Sequence, residues 1–405
     1  MRFSFAAIAA TALAIPALAF PTLADTDPAD WGAVQSAARG QSVYWNAWGG
    51  STTTNDFIAW VGKRVSEEYG VTLEHVKLSD TADAVSRVLA EKSAGKDSGG
   101  AVDLIWINGA NFAAMKESGL LFGPFAEQLP NWQIVDVDGK TVQTDFTVPT
   151  DGFESPWAMA QVVFMYDTAD LAEPLPDMAA ILEWSRANPG RFTYPQPPDF
   201  LGSTFLKQAL YDLVEDPAPL LAPASDATFA VVTAPLWDYL DALTPTLWRQ
   251  GRAYPQTGNT QLALIADNEI DLAISFSPGA ASTAIANFEL PDTVRTFVLR
   301  DGTIGNASFV AIPYNANAAE GAMIVANFLL SPEAQARALN PDYLGYGTVL
   351  DMAALSAEDR ARFDNIDLGI ATLSPAELGQ ALAEPHPSWM TRVTADWISR
   401  YGTAR

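Results

Sequence analysis

Strand-like and helix-like runs alternate through the first quarter of the chain, and this alternation constrains the fold more than any other feature. Val43-Tyr-Trp-Asn-Ala-Trp-Gly-Gly-Ser-Thr-Thr-Thr-Asn-Asp-Phe57 reads as an apolar strand, a glycine turn, a hydroxyl-rich cap and a helix start. Phe57, Val61 and Val65 recur at four-residue spacing, as on one face of a helix closed by Gly70. Val71–Val76 alternates like a second strand, Val85, Val88 and Leu89 share a second helical face, and Ala101–Ile107 is a continuous apolar run suited to a buried strand. A β-α-β-α-β order of this kind predicts a parallel sheet covered by helices on both faces.

Arg2 precedes an uncharged apolar run, Phe3 to Ala19, with small residues before two candidate cleavage points after Ala19 and Ala24. Residues 1–24 therefore read as a secretory signal peptide. The run is too short for a membrane anchor, and no second stretch of spanning length follows. The sequence holds no cysteine. An exported chain without disulfides needs a large core, which 405 residues permit. With no cysteine to carry a lipid after the leader, a soluble exported protein of this kind is expected in a periplasm. The formal charge of −25 excludes a surface that attracts nucleic acid or anionic lipid.

Further on, Asp136-x-Asp138-Gly139 looks like a piece of a calcium loop but lacks the closing acid, so Ile134–Val142 is expected to be a hairpin turning at Asp138-Gly139. Ser155–Tyr166 is long and extended and suits a strand passing between two lobes. A helix is expected around Met178–Ala187, and Arg191–Phe205 repeats the opening design of strand, stiff loop and helix. Leu220–Thr233 reads as a polar surface stretch. Strands are expected at Asp271–Ser277, Val294–Leu299 and Ala307–Pro313, the last two returning to the first lobe, and Ser331-Pro332 as a strong helix start.

Catalytic signatures fit poorly. His75 and His386 are the only histidines, neither at a zinc spacing, and no G-x-S-x-G elbow or P-loop occurs. Paired carboxylates such as Glu154 and Asp199 keep a secreted carbohydrate-active hydrolase open as an alternative, although no motif marks them as acid and base. Four segments instead end strands with aromatic, glycine and small polar residues: Trp48–Thr52, Trp106–Asn111, Asp199–Ser203 and Phe276–Gly279. Two fall in each half of the chain. Facing one another across a cleft, they would offer stacking faces and hydrogen bonds to a small molecule. The plainer alternatives are a capped helix start at Ser51 and a core position for each tryptophan.

The stretches VYWNAWGGSTTTNDFIAWV, DLIWINGANFAAMKE, ESPWAMAQVVFMYD, RFTYPQPPDFLGSTF and LLSPEAQ, in this order, resemble an extracellular solute-binding protein of a bacterial ABC importer, within it the YnjB-like branch, whose members are described as thiamine-type receptors. The resemblance implies an α/β, type II-like two-lobed periplasmic binding fold. Lobe one would span 25–156 with 301–345 returning to it, lobe two 157–300, and helices of 346–405 would pack on both. It implies a monomer that hands its solute to an inner-membrane permease, with no cofactor and no catalysis. Solute contacts would come from Trp48, Gly50, Ser51, Trp106, Asn108 and Asn111 in lobe one. Lobe two would add Asp199, Gly202, Ser203, Tyr254, Phe276 and Ser277. Glu154 and Trp157 would sit at the crossing, and Tyr346 at a turn where such chains often cross again. A cationic aromatic such as thiamine would stack on Trp and Tyr and need Glu154 or Asp199 as counter-charge. Gly50–Thr54 and Gly202–Thr204 at helix starts would equally cradle a phosphate, so a phosphorylated thiamine, a phosphodiester or a sugar remain alternatives.

Overall fold

The computed structural model describes residues 26–379 and 381–402, so the expected signal peptide at 1–24 lies outside the described residues. After a short helix α1 (Trp31–Ala38), the expected alternation appears as β1 (Ser42–Trp48), α2 (Thr52–Tyr69), β2 (Thr72–Leu78), α3 (Ala82–Ser93), β3 (Leu104–Ile107) and α4 (Ala110–Glu117). Both neighbours of β1 run parallel to it. Phe57, Ile58, Val61 and Val65 bury the inner face of α2, and Gly70 closes the helix at φ +70°, a conformation that glycine adopts without strain.

A two-residue hairpin joins β4 (Thr144–Asp145) to β5 (Val148–Pro149), and the chain continues through β6 (Glu154–Gln161), β7 (Val163–Asp167), α5 (Met178–Ala187) and α6 (Phe200–Leu213). Then come α7 (Asp226–Leu243), α8 (Gly258–Ala266), β8 (Leu272–Ser275), α9 (Ala280–Ala286), β9 (Val294–Phe297) and β10 (Gly305–Ala311). The chain closes with α10 (Ala319–Leu329), α11 (Pro332–Leu339), α12 (Ala357–Asp364), α13 (Pro375–Leu378) and α14 (Pro387–Tyr401).

Two main sheets result. The larger has the order β2-β1-β3-β10-β6, with β10 antiparallel to both its neighbours; the smaller is β8-β7-β9, antiparallel throughout. Each has its own core. Trp45, Phe57, Trp157 and Phe309 pack with the wholly buried α10 in lobe one, whereas Phe164, Tyr194, Phe205, Trp389 and Trp397 fill lobe two.

The lobes are joined where β6 runs into β7 and where the chain returns from β9 to β10. These crossings lie side by side, with the Val162 N–H donating to the Ile304 carbonyl at 2.8 Å. Because β6 keeps its ladder with β10 as far as Gln161, the first crossing falls at Val162 rather than at 156–157, and Glu154 opens the strand at its far end, opposite Ala311. A third crossing comes at Leu382 and not near Tyr346. Leu382 bridges Ile304, donating to Thr303 O at 2.8 Å and accepting from Gly305 N at 3.0 Å. It links α12, whose Phe363 enters the first core, to α14, whose Trp389, Val393 and Trp397 enter the second. Tyr346 stays in lobe one, beside the Gly347–Met159 bridge to β6.

Three local expectations need correction. Val294–Leu299, expected to return to the first lobe, holds β9, which pairs with β7 in the smaller sheet of lobe two. Asp138-Gly139 is a turn braced by Asp136, which accepts from Gly139 N and pairs with Lys140, but the paired hairpin forms later, at β4–β5. The stretch 220–233 is not simply surface. Leu220 is buried, and a reciprocal Ser225–Thr228 capping box starts α7, whose Phe229, Thr233, Leu236, Trp237 and Leu240 face inward. Its Ala- and Pro-rich composition hid that face.

Candidate functional site

The turn after β1 lies at the rim between the lobes. Trp48 ends the strand 36% exposed, and a Cβ on Gly50 would stand 2.4 Å from its indole, so only glycine lets the ring fold over the turn. The Gly50 carbonyl accepts from Asn259 Nδ2 of lobe two at 2.6 Å. Ser51 occupies the cap position of α2, yet its hydroxyl pairs with the Thr53 hydroxyl at 2.7 Å and binds no backbone amide. At the opposite rim, Gly279 N and the Ser277 hydroxyl both donate to Gly345 O, at 3.1 and 3.2 Å. A Cβ on Gly279 would come within 2.7 Å of the Gly345 backbone. The lobes therefore touch along both rims.

Behind these rims stands an aromatic wall. Trp106, half-buried at the end of β3, meets Trp157 edge-on at 4.9 Å and Tyr346 at 6.5 Å. Burial pushes the Tyr346 phenol up to about 12, so it stays a neutral donor. Trp157 itself is 1% exposed, stacked on Phe57 and edge-on to Trp45; it backs the wall as a core residue. Asn108 holds its place by donating to Ala307 O at 2.7 Å, and Asn111 lies half-buried in the first turn of α4.

The polar floor comes, Glu154 apart, from residues that the sequence pattern did not mark. In the β4–β5 hairpin both turn residues, Phe146 and Thr147, have positive φ, +44° and +71°. That backbone suits a two-residue hairpin but favours Asn-Gly; a bulky and a β-branched residue there cost about 1–3 kcal/mol each. Strain of this size persists where the surroundings enforce it, and here they do. The Phe146 ring lies so close to Gly109 that a Cβ there would approach it to 2.8 Å, and the Lys207 ammonium of lobe two sits 4.7 Å from the ring centroid. Asp145, next to this turn, accepts from Gly109 N through Oδ2 at 2.5 Å, while its Oδ1 is buried without a partner. Burial foremost, with Glu384 adding repulsion, pushes the Asp145 carboxyl up to about 8. Lys207 pairs with Glu384 at 2.6 Å, and Asn306 donates to the other Glu384 oxygen at 3.1 Å. Glu154 is wholly buried, neither of its oxygens has a partner, and burial followed by the nearby Asp145 raises it well above the usual carboxylate range.

The lobe-two expectations divide. Phe276 lies edge-on to Phe200 at 5.3 Å, and Phe200 in turn flanks the Lys207 ammonium, which places both rings beside the Lys207–Glu384 pair. Asp199 caps α6, its Oδ1 accepting from Leu201 N and Gly202 N. Gly202 is required by packing, since a Cβ would fall 2.1 Å from the Pro195 carbonyl oxygen. Ser203 is buried, 3.4 Å from the Thr394 hydroxyl. Tyr254 is a core ring between Tyr194 and Trp397, at 5.4 and 5.1 Å. Sequence reasoning missed Asp145, Phe146, Lys207, Asn259, Asn306 and Glu384. Only Lys207 carried a local signal, a lone charge inside the otherwise uncharged run from Phe200 to Tyr211.

A model of the family described as bacterial extracellular solute-binding protein matches residues 60–361. Protein YnjB of Escherichia coli (strain K12) is 44% identical over 378 residues, 93% of this chain and 95% of that one. Among solved structures, the periplasmic binding protein AfuA from Actinobacillus pleuropneumoniae, with fructose-6-phosphate bound, superposes with a TM-score of 0.62 at 15% identity, over 90% of this chain and 100% of that one. The spermidine/putrescine substrate-binding protein PotD from Streptococcus pneumoniae gives 0.59 at 16% identity, over 89% and 98%. A ferric binding protein from Campylobacter jejuni gives 0.60 at 12%, over 89% and 98%. At such identities the structural likeness establishes the two-lobed fold and no ligand. The family match over most of the chain and the near full-length relative go further: this chain belongs to the bacterial extracellular solute-binding proteins.

Proposed function

We propose that the protein is the periplasmic receptor of an ABC importer for a small organic cation, with thiamine the first candidate. One observation carries the reading. Three buried carboxylate oxygens, Oδ1 of Asp145 and both of Glu154, have no hydrogen-bond partner, and the nearest lobe-two cation, Lys207, is engaged by Glu384. Buried acceptors left unmatched call for a donor, and a buried carboxylate calls for one that carries positive charge. Trp48, Trp106, Tyr346 and Phe276 supply flat faces for a ring, each cation–π contact contributing about 0.5–2 kcal/mol. A sugar would use the aromatic faces and could donate hydroxyls to these oxygens, but it would leave a buried carboxylate charge unbalanced.

Closure follows from differential contact. A solute held by one lobe alone would not favour the closed form; one that touches the Asp145 hairpin and Phe276 together would. The closed receptor then presents both lobes to the permease. Neighbours of this fold named for spermidine/putrescine and for fructose-6-phosphate carry opposite ligand charges, so the chain's own carboxylates are what favour a cation. A phosphorylated thiamine keeps a specific place, because the first amides of α2 are not capped by Ser51.

The test is a tryptophan-fluorescence titration against thiamine, thiamine monophosphate, spermidine, a neutral disaccharide and fructose-6-phosphate. A cation should shift the emission and be recovered unchanged. Saturation by the sugar with no response to any cation would sink the reading, and turnover of the sugar would restore the hydrolase.

A further inference from the structure

We propose that Asp145 is the counter-charge of the solute, and that the solute's cation enters the cleft in exchange for the proton that this buried carboxyl holds when the cleft is empty. The inference rests on the reading of a cationic solute and deepens it by naming the group and the exchange.

Asp145 stands where three parts of the molecule meet. It is 1% exposed, anchored through Oδ2 to Gly109 N, with the Asn108 amide beside it as a second donor and no partner in bonding geometry on Oδ1. From α4 and the loop before it, Gly109 and Asn108 oppose the loss of acidity, and Lys116 of the same helix acts on Glu154 while tied to Asp151 at 2.6 Å. From α6 the ammonium of Lys207 faces it, and from the third crossing the carboxylate of Glu384. These two neutralise each other at 2.6 Å, both almost fully buried. From β6 comes Glu154, itself without a partner. A further negative charge here would therefore lie in low dielectric with no free cation to balance it, and a carboxyl so placed keeps its proton.

A cation arriving at Oδ1 reverses that balance. The O–H bond of the Asp145 carboxyl breaks, the proton leaves to solvent, and the carboxylate pairs with the cation, so net charge in the cleft is unchanged. Glu154, wholly buried opposite Ala311 in the sheet, is acted on by Asp145 and Lys116, both of lobe one, and so lacks the link that would tie ionisation to closure. Asp145 has that link through Lys207 and Phe146. Exchange of one proton makes affinity rise about tenfold per pH unit until the carboxyl ionises unaided.

Calorimetric titration of the protein with thiamine at pH 7, in phosphate and in Tris, reads the exchange from the difference in heat. The expected result is close to one proton released per thiamine, with Kd about tenfold weaker at pH 6 than at pH 7. Asp145→Asn keeps an acceptor for Gly109 and should release no proton and bind at least tenfold more weakly at pH 7. Equal heats in the two buffers with binding intact overturn the exchange. On the solute-free protein, carboxyl carbon NMR of Asp-labelled wild type should show a signal titrating near pH 8 that Asp145→Asn lacks; a signal for Asp145 in the ordinary acid range overturns it independently. If thiamine fails to bind, that candidate falls, and whichever cation of the panel does bind is carried through the same buffers; a panel with no bound cation overturns both readings.

Discussion

The starts of α2 and α6 share a recipe, aromatic, glycine and hydroxyl residues running into a helix, and the structure uses them in opposite ways. At α6 the polar and glycine positions serve the chain itself: Asp199 caps two amides and Gly202 lies against the Pro195 backbone. At α2 the cap residue binds no amide, Gly50 makes room for an exposed indole, and its carbonyl reaches across to Asn259. Composition is therefore a poor guide to availability. What remains for a ligand is what the local backbone has not already taken.

Substitutions at matched positions sharpen or break this contrast. The largest effect is expected from Gly202→Ala, whose methyl meets a backbone oxygen that cannot swing away; about 1–3 kcal/mol of stability should be lost, measured by urea unfolding. Gly50→Ala, which meets only a movable indole, should unfold close to wild type, and equal losses would erase the distinction. Next comes Trp48→Ala, which should weaken solute binding at least tenfold, about 1.4 kcal/mol, with little change in melting temperature; unchanged affinity removes the α2 rim from the site. The smallest effects belong to the caps. Asp199→Ala should cost about 1 kcal/mol of stability and Ser51→Ala only a few tenths, read from thermal denaturation. Asp199→Asn, which keeps the cap and drops the charge, should leave solute affinity unchanged, since the counter-charge lies at Asp145.

The regular part of the fold was legible because it is local. The face of α2, the buried β3 and the Ser331 cap of α11 are written in consecutive residues, and the structure forms them, whereas α3 buries Ala84 and Val88 and leaves Leu89, expected on its inner face, 48% exposed. The aromatic residues proposed to face the solute, Trp48, Trp106, Phe276 and Tyr346, were singled out because glycine turns mark them. The acidic floor could not be found in that way. Asp145 lies in a hairpin whose turn, Phe146-Thr147, contradicts turn propensity, and Glu384 arrives from a segment with no strand pattern of its own. Glu154 was chosen for its place at a crossing, yet its distinction is the absence of any partner. Asp199 was chosen for its charge, and that charge caps a helix. Which carboxylates lack partners is a property of tertiary packing, and spacing along the chain does not encode it.

The pairing of Ile304 with Leu382 has a consequence for how the molecule assembles. Segments at 162, 304 and 382 must be gathered from distant points of the chain before the three crossings lie side by side, and α14, which carries Trp389 and Trp397 into the second core, follows the last of them. A polypeptide that folds as it emerges from its amino-terminal end lacks the third link between its lobes until the segment around Leu382 has followed.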